Sequence, residues 1–227
     1  MRRPVDVDTR PLFALADAGD VPDAAAESLA PGAVLLRAFA LAEADRLWAL
    51  LPGLLAVSPW RHYLTPGGRR MGVANTNCGA LGWVSDARGY RYTALDPETG
   101  QAWPAMPEAY AALARAAAAR AGFAAFEPDA CLVNRYQPGV RLGLHQDRDE
   151  RDATQPIVSV SLGLPATFQF GGARRADPLQ RVALGHGDVV VWGGPARFHH
   201  HGVLTLRDGE HPLTGRCRVN LTFRRAG

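Results

Sequence analysis

The chain contains no lysine: all 25 of its basic residues are arginine. Cysteine is nearly as scarce, with only Cys78, Cys131 and Cys217 in 227 residues, widely spaced and without a C-x-x-C pair. That usage argues against a disulfide framework or a zinc ribbon and fits a reducing compartment. No apolar run reaches the eighteen or more residues of a membrane span. The opening MRRPVDVDTRPLFALADAGD has no apolar core of signal-peptide length. A soluble cytoplasmic protein with no membrane partner is the expectation. A net charge of +3 is too small to point to a polyanionic partner. Base-composition bias accounts for the missing lysine most simply, and the many alanines agree with it. Its consequence is still physical, because arginine offers a planar fork of donors suited to carboxylates and phosphates.

What is present suits a globular fold. Hydrophobic residues make up 47% and charged residues 21% of the chain, enough to bury a full core. Residues 1–30, rich in Ala, Asp and Pro, read as a loosely ordered arm. GAVLLRAF (32–39) reads as a first strand. LAEADRLWALL (41–51) reads as a helix, with Leu41, Ala44, Leu47, Trp48 and Leu51 at helical spacing and Pro52-Gly53 as its stop. Residues 58–104 are broken and turn-rich, interleaving Trp60, Tyr63, Trp83, Tyr90 and Tyr92 with arginines. Short strands joined by turns suit this segment, as does a mobile cover over a site. Its aromatics can stack on bases, although composition alone favours a small satellite core. PEAYAALARAAAARAG (107–122) predicts the clearest helix, with proline at its start and Gly122 as its stop. CLVNRY, VRLGLHQD, IVSVSLG, ATFQFGG, RVALGHGDVVVWGG and CRVNLTFRR then predict short antiparallel strands of a sandwich or barrel.

Two segments carry chemistry. In LHQDRDE (144–150), His145 and Asp147 fall on one strand face, with Gln146 turned away. An H-x-D triplet alone is weak. It gains from RFHHHGV (197–203), three consecutive histidines that packing alone does not explain, although a solvated loop would. Two imidazoles and a carboxylate form a facial triad that leaves three positions of an octahedral iron open, as an oxygenase requires. In CRVNLTFRR (217–225), Val219, Leu221 and Phe223 alternate with Arg218, Asn220, Thr222 and Arg224. Standing alone, this would read as an edge strand with its charged face in water. Beside a metal triad, two guanidiniums on one face suggest a dicarboxylate. 2-Oxoglutarate, which also chelates iron through its 2-oxo acid end, accounts for both features.

In order along the chain stand TPGG (65–68), TNCG (76–79), LGW (81–83), WPAMP (103–107), PDACLVNRY (128–136), LHQDRDE, PIVSVSLGLPA (156–166), FQFGG (168–172), HGDVVVWGG (186–194) and NLTFR (220–224). From about residue 31 to its end, the chain resembles the AlkB family of iron(II)- and 2-oxoglutarate-dependent dioxygenases. The resemblance implies an α+β, mainly β fold. Its core would be a double-stranded β-helix of jelly-roll, cupin-like type with flanking helices and a nucleotide-recognition lid. It implies a single dioxygenase domain over 31–227, with the lid at 58–104 and the catalytic core at 128–227. The implied activity is oxidative demethylation of N-alkylated bases, 1-methyladenine and 3-methylcytosine. It would use Fe(II), 2-oxoglutarate and O2 and release succinate, carbon dioxide and formaldehyde. Alkylated single-stranded DNA is the implied partner, with double-stranded DNA and RNA as further candidates, and a monomer is expected.

By the same resemblance, His145, Asp147 and His201 are the metal ligands and catalytic residues, with Gly202 setting the register within the triple histidine. Arg218, Tyr136 and Asn220 would take the distal carboxylate of 2-oxoglutarate, with Arg224 and Asn134 near its chelating end. Trp83 would stack on the damaged base from the side opposite His201, and Asp149 would lie near the base edge. Thr65 and Tyr90 would contact the nucleic-acid backbone, and Arg175 would stand at the substrate mouth. The chain departs from the family pattern in the lid, at Tyr63, Arg69 and Asn75. Three rivals remain open at this point: an oxygenase of other substrates, a noncatalytic single-strand-binding module, and a zinc hydrolase on a cupin-like barrel.

Overall fold

The structure, a computed structural model, describes residues 26–227. A hairpin opens it, with β1 (Ala26–Ala30) antiparallel to β2 (Ala33–Leu36). Its turn needs Gly32, at φ +81°, where a Cβ would fall 2.4 Å from the Gly193 carbonyl oxygen. The last five residues of the expected arm are therefore a sheet strand. Alanines at a half-exposed edge carry no hydrophobic alternation, so the strand leaves no periodic signal. The rest of that arm lies outside the described residues.

Helix α1 (Ala44–Val57) buries Leu47, Leu51 and Leu54 along one stripe. It runs through Pro52 rather than stopping there, a correction to the sequence reading. An interior proline costs about 3 kcal/mol. Burying Leu54 returns about 1.5–3 kcal/mol, and the Ser58 amide closes the last turn on the Leu54 carbonyl at 2.8 Å. After α1 come β3 (Ala74–Gly79), the hairpin β4 (Gly82–Asp86) and β5 (Gly89–Thr93), and helix α2 (Glu108–Arg120). The remaining strands are β6 (Ala130–Tyr136), β7 (Leu142–His145), β8 (Ile157–Gly163), β9 (Ala166–Phe170), β10 (Gln180–Leu184), β11 (Val189–Trp192), β12 (His201–Val203) and β13 (Arg218–Arg224).

Seven strands form one antiparallel sheet in the order β1-β2-β11-β8-β13-β6-β3, and four form a second in the order β10-β9-β12-β7. Alternation along each strand sorts the side chains. On the outer face of the large sheet, Val133, Val160, Val191, Leu221 and Phe223 pack against the stripes of α1 and α2. On the inner face, Leu35, Ile157, Val190 and Trp192 meet Phe168, Phe170 and Val203 of the small sheet. Two facing antiparallel sheets with helices outside one of them make the double-stranded β-helix core that the resemblance implies. Among the described residues no helix is long and apolar enough to cross a membrane.

Segment 58–104 divides in two. β3 is the edge of the large sheet, in register with β6, whereas β4 and β5, among the described residues, pair only with each other. Asn75 therefore belongs to the sheet wall and not to a covering hairpin, another correction to the sequence reading. β12 also had no strand signal, because its three residues sit in what reads as a histidine loop.

Phe223 is fully buried, with its ring edge-on to Tyr110 at 6.2 Å. Phe223→Ala should destabilise the fold by about 3–5 kcal/mol. Urea unfolding should show a lower midpoint with an unchanged slope, and a loss below about 1 kcal/mol would contradict the packing described.

Candidate metal and diacid site

Two short strands bring the histidines together. β12 pairs with β7 so that His201 stands opposite His145, their ring centroids 4.4 Å apart. Gly202 permits the approach, since a Cβ there would meet the Leu142 carbonyl oxygen at 2.9 Å. Asp147 lies just past the end of β7 and completes the group. Its Oδ1 is 3.6 Å from His145 Nε2 and its Oδ2 is 3.7 Å from His201 Nε2. Gln146 turns away, as expected, and donates to the Ala173 and Phe198 carbonyls.

Both imidazoles are set for coordination. His145 Nδ1 lies 2.9 Å from the Gly143 carbonyl oxygen and His201 Nδ1 lies 3.0 Å from that of His199. A carbonyl only accepts, so each Nδ1 carries the proton and each Nε2 keeps its lone pair for a metal. Burial, with the neighbouring His145, pushes His201 down to about 4, so its ring is neutral at physiological pH. Burial alone would raise the Asp147 carboxyl, but the adjacent Arg224 guanidinium outweighs it and holds Asp147 below the usual carboxylate range. Two imidazole nitrogens and one carboxylate gathered in this way suit a divalent metal with open positions.

Beside this triad, β13 lies between β8 and β6. It is no edge strand, and its polar face is buried rather than solvated. Arg218 is 1% exposed. It donates to Ser161 Oγ at 2.9 Å and lies 5.1 Å from the Tyr136 ring centroid. Its Nε and Nη1 have no partner among the described residues. Burial pulls its guanidinium below the usual value, a pull that Tyr136 opposes in part. A buried guanidinium with free N–H groups is costly unless an anion meets it. Arg224 donates to Asp147 Oδ2 at 2.8 Å, and its Nη1 has no partner among the described residues. Asn220 and Asn134 stand side by side in register on β13 and β6.

A cavity of about 690 Å³ joins these groups to the β4–β5 hairpin. All the residues expected at the site line it except Arg175. Arg175 sits on the β9–β10 connection and donates instead to the Leu144 carbonyl at 2.8 Å, beside His145. Trp83 lies nearly parallel to Tyr90, with centroids 5.6 Å apart, and its Nε1 donates to Asp149 Oδ2 at 2.8 Å. Burial raises the Asp149 carboxyl, against this bond from Trp83. Thr65 and Arg69 close one turn through paired contacts, the Arg69 amide to Thr65 Oγ1 and the Thr65 amide to the Arg69 carbonyl. Tyr63 is buried under Trp83, edge-on at 5.9 Å.

Sequence reasoning missed the groups that hold the triad. Glu150 binds Arg197 Nη2 at 2.8 Å, the Tyr92 hydroxyl at 2.8 Å and Arg224 Nε at 3.0 Å. Arg197 also donates to the Asp147 carbonyl at 2.9 Å and the Gln155 carbonyl at 3.0 Å. No spacing rule links residues 92, 150, 197 and 224, which only folding brings together.

The family model described as the 2OG-Fe(II) oxygenase superfamily matches residues 32–224. The chain is 57% identical over 200 residues to the alpha-ketoglutarate-dependent dioxygenase AlkB of Salmonella typhimurium, covering 88% of this chain and 93% of that protein. It is 56% identical over 201 residues to the protein of the same name from Escherichia coli, with the same coverage. Among solved structures, that of OsALKBH1 superposes with a TM-score of 0.78 at 29% identity, covering 88% of this chain and 100% of the other.

Arg197→Ala should destabilise the protein by about 3–5 kcal/mol, because it strips a partner from the buried Glu150 carboxylate. Arg174→Ala, at an exposed pair with Asp177, should cost about 1 kcal/mol or less. Equal unfolding midpoints for the two variants would show that the buried network contributes nothing.

Proposed function

The chain belongs to the 2OG-Fe(II) oxygenase superfamily as an AlkB-like member, and on that premise we propose that it oxidatively demethylates N-alkylated bases, 1-methyladenine and 3-methylcytosine, in single-stranded DNA. One observation carries this reading. The convergent ligand atoms of His145, Asp147 and His201 share a cavity with Arg218, whose buried N–H groups lack an anion. The donor set fits iron(II), and the unpartnered guanidinium fits a diacid. Arg224 and Arg197 already balance Asp147 and Glu150, so a dication and a dianion entering together leave the network's charge unchanged.

In this reading His145, Asp147 and His201 hold the iron. Arg218 would take the distal carboxylate of 2-oxoglutarate with the Tyr136 hydroxyl and Arg224 would serve its chelating end, with Asn220 and Asn134, whose Nδ2 groups are engaged within the sheet, lining the site beside them. Bound there with 2-oxoglutarate and dioxygen, iron(II) supplies the oxidation that hydroxylates the N-methyl carbon and turns the diacid into succinate and carbon dioxide. The hydroxymethyl C–N bond then breaks, its electron pair returns to the ring nitrogen, the hydroxyl proton leaves, and formaldehyde departs.

The protein's remaining task is to place the methyl carbon. The methyl group lies on the pairing edge, so the base must leave the stack, and a lesion that cannot pair costs less to extrude. Trp83 offers a stacking face worth about 1–3 kcal/mol per base, and a cationic base gains further from an aromatic face and from Asp149. Thr65, Tyr90 and Arg175 are proposed contacts to the nucleic acid at the rim. Fixing the methyl carbon at the site also limits oxidation without repair.

Mass spectrometry of a 1-methyladenine oligonucleotide incubated with protein, iron(II), 2-oxoglutarate and air should show loss of the methyl group. Omitting any one component should abolish it, and demethylation without 2-oxoglutarate would refute the reading. Trp83→Ala should lower kcat/KM for the oligonucleotide by about 10–100-fold, as loss of one stacked base predicts, with the KM for 2-oxoglutarate unchanged. Parallel losses in both would make Trp83 a structural residue.

A further inference from the structure

Three side-chain amides cross the inner face of the large sheet, and a backbone carbonyl fixes the polarity of all three. Asn220, Asn134 and Asn75 are in register on β13, β6 and β3. Asn220 Nδ2 lies 3.0 Å from the Val160 carbonyl oxygen and 2.8 Å from Ser159 Oγ. A carbonyl can only accept, so the nitrogen of Asn220 must be on that side. Its Oδ1 then accepts from the Thr222 hydroxyl at 2.8 Å and from Asn134 Nδ2 at 3.3 Å. Asn134 Oδ1 is thereby turned to Asn75, whose Nδ2 donates to it at 2.6 Å.

The row therefore ends in an acceptor. Asn75 Oδ1 has no partner among the described residues, on a side chain only 3% exposed. Flipping the amide does not help, since it would set two carbonyl oxygens face to face. An unmet buried acceptor costs about 1–3 kcal/mol, so the site gains when a donor arrives. Asn75 lines the same cavity as Trp83, Asp149 and the triad. 2-Oxoglutarate enters as a dianion with acceptors only and cannot satisfy it. A base methylated on its pairing edge does better if it derives from adenine or cytosine, because an exocyclic amine flanks the methylated nitrogen. A uracil or thymine lesion presents a carbonyl there instead.

We propose that Asn75 is a specificity-determining residue whose side-chain carbonyl accepts the exocyclic N–H of alkylated adenine and cytosine and disfavours lesions with a carbonyl at that position. This assignment rests on the demethylase reading above and deepens it. An acceptor that is buried, fixed in direction and built into a sheet rewards the amine and penalises its replacement.

The test compares kcat/KM for 3-methylcytosine and 3-methyluracil in one single-stranded oligonucleotide sequence. It uses the native chain, Asn75→Leu and Asn75→Asp. Both variants remove the donor to Asn134, but only Asn75→Leu removes the acceptor. The cytosine-to-uracil ratio should fall about tenfold in Asn75→Leu, the scale of one buried hydrogen bond, and should hold or rise in Asn75→Asp. An unchanged ratio in Asn75→Leu, or the same fall in both variants, overturns the assignment. The second result would mean that Asn75 acts only through Asn134. Failure of the native chain to release formaldehyde from either oligonucleotide overturns the demethylase reading, and the assignment with it.

Discussion

A carboxylate buried between two imidazoles and a guanidinium is the constraint around which this molecule is arranged. Asp147 has Arg224 at 2.8 Å and both histidine Nε2 atoms within 3.7 Å. Without the Arg224 guanidinium a buried carboxylate would take up a proton. With it Asp147 stays ionised and keeps its place. The β7–β12 register, the bare Cα of Gly202 and the Arg197 clamp on the Asp147 backbone all hold those charges in one position. Glu150 extends the arrangement by pairing with Arg224 Nε at 3.0 Å.

The alternation of β13 couples this polar centre to the hydrophobic core. Val219, Leu221 and Phe223 join the helix-side cluster, and Arg218, Asn220, Thr222 and Arg224 face the cavity. One strand thus anchors the fold by its outer face and the site by its inner face. A one-residue slip would bury guanidiniums among leucines and valines and bring apolar side chains to the site. The site is held to the same tolerance as the core because both use the same backbone.

The β4–β5 hairpin is tied to that centre at two points, Trp83 to Asp149 and Tyr92 to Glu150. Asn77 adds a third tie from the sheet edge, since its side chain bonds both the amide and the carbonyl of Trp83. The aromatic face proposed for a base is therefore aligned by residues that follow Asp147 in the chain. Access to the cavity and order at the metal end share one set of hydrogen bonds.

Local pattern was enough for much of this. The triplet His145-x-Asp147, the two-faced strand 218–224, the alanine-rich helix and the run of short strands all follow from side-chain periods of two and 3.6, which act between near neighbours in the chain. The proline signal misled at Pro52, where tertiary burial overrode a local stop, and the periods were silent at β1 and β12, whose few residues span too little chain to show one. That Asn75 belongs to the sheet, and that Tyr92, Arg197 and Arg224 meet at Glu150, were decided only in three dimensions. Those contacts join residues up to 74 positions apart (Glu150 and Arg224), and charge attraction between such groups depends on where folding places them, not on their order in the chain.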